Sequence, residues 1–181
     1  MSTHFNRFMI AIFLVCGSMQ PSRAESADMA TSRSLEPIEI SASDLERRLA
    51  VPRFNTILFD TRSRVEFDVS HLKSAIWLNP EISPATFLAT LGPRSRGAYV
   101  VFYCTMSQRS MAFALRILDG LEQKGVRRVA VLKGGIIAWA NASRELIDVQ
   151  GTTKFVNPNN SDFMNALSQP ELARFSTTFA K

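Results

Sequence analysis

Tyr99-Val100-Val101-Phe102-Tyr103-Cys104-Thr105-Met106-Ser107-Gln108-Arg109-Ser110 joins two unlike patterns. Tyr99 to Tyr103 shows none of the polar alternation of a half-exposed strand, so it reads as a β-strand covered on both faces. From Ser110 to Lys124 the apolar residues Met111, Ala114, Leu115, Leu118 and Leu121 recur at helical spacing, and Gly125 supplies a stop. That spacing predicts one long helix. A buried strand running through a short polar loop into a helix is the repeating unit of a parallel sheet. Cys104 takes the first loop position, at the carboxyl end of the strand, where open parallel sheets bind their ligands.

The alternation continues in both directions. Ile38-Glu39-Ile40 reads as a short strand, and Ser41 to Asp44 opens a helix with Leu45 and Leu49 on one face. Thr56 to Asp60 is a second strand, and Ser63 to Val69 suits a short helix. Ser74 to Leu78 is a third strand, and Pro84 to Leu91 a helix with proline in its first turn. After Gly125, Val129 to Leu132 is the fifth strand, and Gly134-Gly135 starts a helix through Trp139. Together these elements predict an α/β fold over residues 37–146, with a central, mainly parallel five-stranded sheet and helices on both faces. Beyond it, residues 147–181 read as a C-terminal extension docked on the domain. Gly151 to Ser161 reads as loop, and Asp162 to Leu167 and Pro170 to Phe179 read as short helices. Phe163, Leu167, Leu172 and Phe175 form an apolar stripe that is also open to a protein partner.

Composition bounds the remaining classes. The chain has 181 residues, 46% hydrophobic and 20% charged, and a mean hydropathy of +0.01. Those values describe one globular domain and exclude a disordered, collagen-like or coiled-coil chain. The net charge of +5 comes from scattered pairs such as Arg47/Arg48, Arg94/Arg96 and Arg127/Arg128. No run is long enough for a nucleic-acid arm, so no nucleic-acid partner is expected.

Residues 1–24 read as a secretory signal peptide. Arg7 precedes the apolar run Phe8 to Val15, and Ser22 and Ala24 put small residues where a signal peptidase reads. The run is too short for a retained span, so no stable membrane anchor is expected after cleavage following Ala24. An uncleaved anchor, or a lipid on Cys16, is the competing reading. The mature protein is expected in the periplasm, starting with a flexible lead-in over residues 25–36. It would keep Cys104 alone of the two cysteines and His71 alone of the two histidines. An intramolecular disulfide and a Cys/His zinc site are both ruled out on those counts.

A lone thiol in an oxidising compartment needs either deep burial or a use. A strand–loop–helix turn directs backbone N–H groups toward Cys104, the helix start adds partial positive charge, and Arg109 adds a full one. Such a cradle suits an anionic sulfur species or an oxyanion. A buried, inert cysteine is the plain alternative.

Four motifs in order resemble the rhodanese (sulfurtransferase) family: Asp60-Thr61-Arg62 with Glu66-Phe67, Phe67-Asp68-Val69-Ser70-His71-Leu72-Lys73-Ser74-Ala75, Cys104 through Arg109-Ser110, and Leu132-Lys133-Gly134-Gly135 with Trp139. The resemblance implies a three-layer rhodanese-like domain. It also implies transfer of a sulfane sulfur through a persulfide on Cys104, held by the loop Thr105, Met106, Ser107, Gln108, Arg109 and Ser110. Asp60, Arg62 and His71 are expected in supporting roles, with Gly134, Gly135 and Trp139 structural. The implied partners are a small anionic sulfur donor such as thiosulfate and a thiol or cyanide acceptor, with no metal or organic cofactor. Two departures stand out: Lys73-Ser74 replaces Pro-Gly, and Ser107 stands where many members have glycine. If position 107 requires a positive φ, serine is strained there. Two further readings follow, a non-catalytic rhodanese-like binding or redox-sensing module, and a cysteine phosphatase or arsenate reductase. Only four residues separate Cys104 from Arg109, one fewer than in the phosphatases that look like this fold, which argues against the latter.

Overall fold

The structure, a computed structural model, describes residues 35–176. The expected signal peptide, Cys16, residues 25–34 of the lead-in and residues 177–181 lie outside the described residues. In chain order the elements are β1 (Ile38–Ile40), α1 (Ala42–Leu49), β2 (Thr56–Asp60), α2 (Arg64–Val69), β3 (His71–Leu72), β4 (Ile76–Trp77), α3 (Pro84–Thr90), β5 (Tyr99–Tyr103), α4 (Gln108–Arg116), α5 (Leu118–Gln123), β6 (Arg128–Leu132), α6 (Gly135–Asn141), β7 (Leu146–Asp148), β8 (Gly151–Thr153) and α7 (Ser161–Met164). Single 3-10 turns occupy Pro52–Phe54, Pro93–Ser95 and Pro170–Leu172.

Five strands form one parallel sheet in the order β1-β6-β5-β2-β4. β5 lies at its centre, with Phe102 opposite Phe59 on one side and Val131 on the other. Because strand side chains alternate between faces, the apolar run of β5 feeds two cores at once. Val101 and Tyr103 join Leu58, Ala130 and Leu132 under Leu45 of α1 and Ile136, Ile137 and Trp139 of α6. Val100 and Phe102 join Phe59, Val129 and Val131 under Phe87 of α3, Phe113 and Ala114 of α4, and Leu121 of α5. The expected α/β fold, a parallel five-stranded sheet with helices on both faces, is present.

Serine caps set the helix starts. Ser41 Oγ accepts from Asp44 N, Ser83 Oγ accepts from Thr86 N ahead of Pro84, and Ser63 with Glu66 forms a reciprocal capping box on α2. The helix expected over 110–124 starts earlier, at Gln108, and is two helices that break at Ile117. α5 packs close to α3: a Cβ on Gly120 would lie 2.1 Å from Leu88 Cδ1. The third strand is shorter than expected, and Ser74 turns with φ +69, closed by Ala75 N donating to Leu72 O at 3.0 Å.

A second sheet was not foreseen. β3, β7 and β8 are antiparallel, and β8 lies within the stretch expected as loop. The boundary expected after residue 146 therefore cuts through β7. Of the two expected C-terminal helices, the first shrinks to the single turn of α7. The described part of the second is a 3-10 turn followed by a bridge from Ala173 to Val156. The hydrogen bonds Val156 N to Leu172 O and Arg174 N to Val156 O commit this segment to extended pairing. Val156 and Leu167 are buried in the same core as Trp139. Asn141 ties the extension down, donating to Ala166 O and accepting from Ser168 N, each at 2.8 Å. Because Leu167 fills that core, Leu167→Ala is expected to lower the unfolding free energy by about 2–4 kcal/mol in denaturant titration. A surface-docked tail would lose less than about 0.5 kcal/mol.

Candidate active site

Cys104 follows the last residue of β5 and is 1% exposed. The strand end is gripped from two sides. Thr61, just after β2, donates both its N–H and its hydroxyl to Tyr103 O, at 2.9 and 3.1 Å. From the other side the first turn of α6 donates Ile136 N to Cys104 O at 2.9 Å and Ile137 N to Thr105 O at 3.3 Å. This approach is possible because residue 135 is glycine. A Cβ there would lie 2.3 Å from both carbonyl oxygens, and φ is +56.

The loop then turns sharply at Ser107, with φ +84, and α4 begins at Gln108. The exposed Gln108 and the half-buried Met106 flank this turn, Met106 packing against the core on the α6 side. Ser110, fully buried, places its Oγ 2.8 Å from Ser107 O and 3.6 Å from Cys104 Sγ, so its single proton serves either acceptor. The sulfur thus meets a hydroxyl donor at the head of a nine-residue helix, whose partial positive charge favours an anion there.

Arg109 does not stand free. Its Nη2 donates to Glu66 Oε1 and to Thr105 Oγ1, both at 2.7 Å, and its Nη1 to Glu66 Oε2 at 3.1 Å. Thr105 in turn donates to Glu66 Oε1 at 2.9 Å, and Ser63 donates its N–H and hydroxyl to Oε2. Burial of Glu66 pushes its carboxyl pKa up. The hydrogen bonds from Arg109 and Ser63 outweigh that and hold it at about 2. Burial lowers the pKa of Arg109 and the Glu66 carboxylate more than reverses it, so the net direction is up.

A second ion pair lies deeper. Asp60 accepts from Arg62 Nε and Nη2, the latter at 2.7 Å, and from the Arg62 backbone N–H, with both side chains fully buried. Arg62 Nη2 also reaches Ser70 O at 2.6 Å, while its Nη1 has no partner. Burial disfavours the Arg62 charge, and Asp60 overcomes it and raises the pKa. His71 is spent locally: its Nδ1 lies 3.0 Å from Phe67 O, and its ring stacks on Phe67 at 3.8 Å.

The structure therefore gathers Cys104, Thr105, Ser107, Arg109 and Ser110 into one hydrogen-bonded loop. Asp60 and Arg62 brace the chain after β2, and the contacts of His71 tie it to α2. Glu66 belongs at the site and was not among the expected site residues. Its signal was present as the capping-box spacing Ser63-x-x-Glu66, which explains why a glutamate sits there but not that it is shared with Arg109. Among the described residues no group of three His, Cys, Asp or Glu side chains converges as a metal site. Among the described residues the site offers one sulfur met by a hydroxyl at a helix end, and the His71 ring is turned to Phe67 instead.

Residues 41–142 match the Rhodanese-like domain family, and the chain belongs to it. One relative, named "Sulfurtransferase", from Allochromatium vinosum, is 32% identical over 113 residues, covering 62% of this chain and 97% of the relative. A second, named "Probable molybdopterin-synthase adenylyltransferase", from Porphyra purpurea, is 28% identical over 122 residues. That match covers 67% of this chain, but this chain spans only 30% of that relative's length. Among solved structures, the BH2092 protein of Bacillus halodurans superposes with a TM-score of 0.50 at 21% identity, covering 69% of this chain and 88% of that one. The fold is shared.

Two outcomes follow from this geometry. Glu66 is depressed from 4.5 to about 2 in the folded state, so its stabilisation is full above about pH 4.5 and is lost as pH falls toward 2. Unfolding titrations across that window are expected to show about 3 kcal/mol of acid-dependent loss, and Glu66→Gln is expected to flatten it. Gly135→Ala must displace the backbone of Cys104 and Thr105, and is expected to destabilise by about 3 kcal/mol or more in the same assay.

Proposed function

We propose that this chain is a sulfurtransferase working by double displacement, with Cys104 as the sulfur carrier. One observation carries the proposal: Cys104 Sγ lies at the head of α4, within reach of the Ser110 hydroxyl, in a loop whose arginine is neutralised by Glu66. That setting favours a monoanionic sulfur chain over a tetrahedral dianion. The name of the Allochromatium vinosum relative, nearly all of whose length is matched, supports the same class.

In the first step the Cys104 thiolate attacks the outer sulfur of a donor such as thiosulfate. A new S–S bond forms, the donor's S–S bond breaks, and its electron pair leaves with sulfite. Cys104 then carries a persulfide whose negative outer sulfur faces the positive end of α4 and the Ser110 hydroxyl. In the second step a thiolate or cyanide attacks that outer sulfur, and the bonding pair returns to Cys104 as thiolate. Neither step needs a base, a metal or an external oxidant, in keeping with a site whose histidine is occupied elsewhere. Arg109, through Glu66 and Thr105, positions the loop rather than gripping the donor. With cleavage after Ala24, this exchange would take place in the periplasm.

Intact mass spectrometry of the protein exported by its native host tests the proposal. Thiosulfate is expected to add one sulfur, reductant to remove it, and Cys104→Ser to prevent the addition. The starting mass is expected to correspond to a chain beginning at Glu25. A folded protein with a free thiol that gains no sulfur would overturn the proposal and favour a non-catalytic binding module.

A further inference from the structure

Ser107 is spent in an unusual way. It immediately precedes α4, the position at which serine ordinarily accepts from the helix's own N–H groups. Here its side chain caps nothing in α4. It also adopts φ +84, a region that side-chain-bearing residues avoid. Two local preferences are overridden at one residue, and such outliers persist where the surroundings require them.

The surroundings supply the reason. Ser107 Oγ donates to Leu132 O at 3.0 Å and accepts from Gly134 N at 2.8 Å. Leu132 is the last residue of β6 and Gly134 directly precedes α6. The first turn of α6 donates Ile136 N and Ile137 N to the carbonyls of Cys104 and Thr105. The Cys104 loop is therefore fastened to its neighbour at three successive places, and Ser107 provides the side-chain fastening. Its carbonyl also accepts from Ser110, the hydroxyl that reaches Cys104 Sγ.

We propose that Ser107 is a positioning residue for the sulfur-transfer site: its hydroxyl clasps the loop to the β6–α6 turn and thereby sets the Ser110 hydroxyl and the α4 amino end against Cys104. The inference rests on the sulfur-transfer function proposed above. A glycine at 107 would satisfy the backbone and abolish the clasp. An alanine would keep the strain and also abolish it. This pair separates the hydroxyl from the backbone conformation.

Ser107→Gly and Ser107→Ala are each assayed with thiosulfate and cyanide, by thermal melting, by hydrogen exchange at Gly134, and by alkylation of Cys104 with iodoacetamide at fixed pH. Both variants are expected to lose kcat about fivefold to tenfold with KM changed less than about twofold, because positioning is lost and donor binding is not. Ser107→Gly is expected to melt within a few degrees of the wild type, since relief of the left-handed conformation offsets the lost bonds. In both, Gly134 exchange and Cys104 alkylation are expected to rise about threefold or more, because the buried sulfur becomes more open. A Ser107→Gly protein with wild-type kcat and alkylation rate would overturn the clasp and leave only a backbone requirement. If the wild type itself shows no turnover, the sulfur-transfer function fails separately, and Gly134 exchange with Cys104 alkylation still decides whether the clasp exists.

Discussion

The carboxylate of Glu66 is a buried anion that must be compensated. Its partners come from three places in the chain: the Ser63 cap at the head of α2, Thr105 in the Cys104 loop, and Arg109 at the start of α4. Removing any one would leave part of the buried carboxylate without a partner, which is costly, whereas the Arg109 guanidinium keeps 39% of its side chain at the surface. The first turn of α2, the loop and the first turn of α4 therefore share one polar knot. Asp60 and Arg62 repeat the device one layer deeper. Each arginine near the site is matched by a carboxylate. The polar side chain that reaches the sulfur directly is therefore the neutral Ser110, with its hydroxyl 3.6 Å from Cys104 Sγ at the head of α4.

The apolar frame explains why this knot lies where it does. Among the described residues β5 is the strand with two five-residue parallel neighbours, and its own residues divide between two cores. With both faces and both edges occupied, the strand can deviate only at its end, and its end is Cys104. Gly135 then lets α6 touch the loop carbonyls, and Ser107 fastens the middle of the loop to the same turn. Rigidity passes from hydrophobic packing to backbone hydrogen bonds to one hydroxyl.

Much of this was legible because it depends on strong periodic signals. The continuous apolar run of β5, the serines ahead of α1, α2 and α3, and the place of Cys104 between strand and helix can all be read locally. What escaped detection depends on partners distant in sequence. The break at Ile117 leaves the apolar spacing of α4 and α5 uninterrupted. β8 is a largely exposed edge, Gly151-Thr152-Thr153, whose pairing with β7 leaves no hydrophobic trace. Glu66 is separated from Arg109 by 43 positions, so only the folded chain reveals the pair. The turn at Ser107 was half visible: a strained serine could be suspected, but not what its hydroxyl would hold.

The central placement of β5 also sets how rarely the strand that leads into Cys104 opens. Amides of a strand hydrogen-bonded on both sides and packed on both faces exchange only through the largest opening motions of a protein, while edges and hairpins fray freely. The antiparallel sheet of β3, β7 and β8 is coupled to β5 without pairing with it: Leu72 N donates to the Tyr103 hydroxyl at 3.1 Å, and Leu72 and Leu146 share the core of Val101 and Tyr103. The strand that ends beside Cys104 is therefore expected to hold the slowest-exchanging amides of the molecule, so the thiol is attached to its least mobile segment.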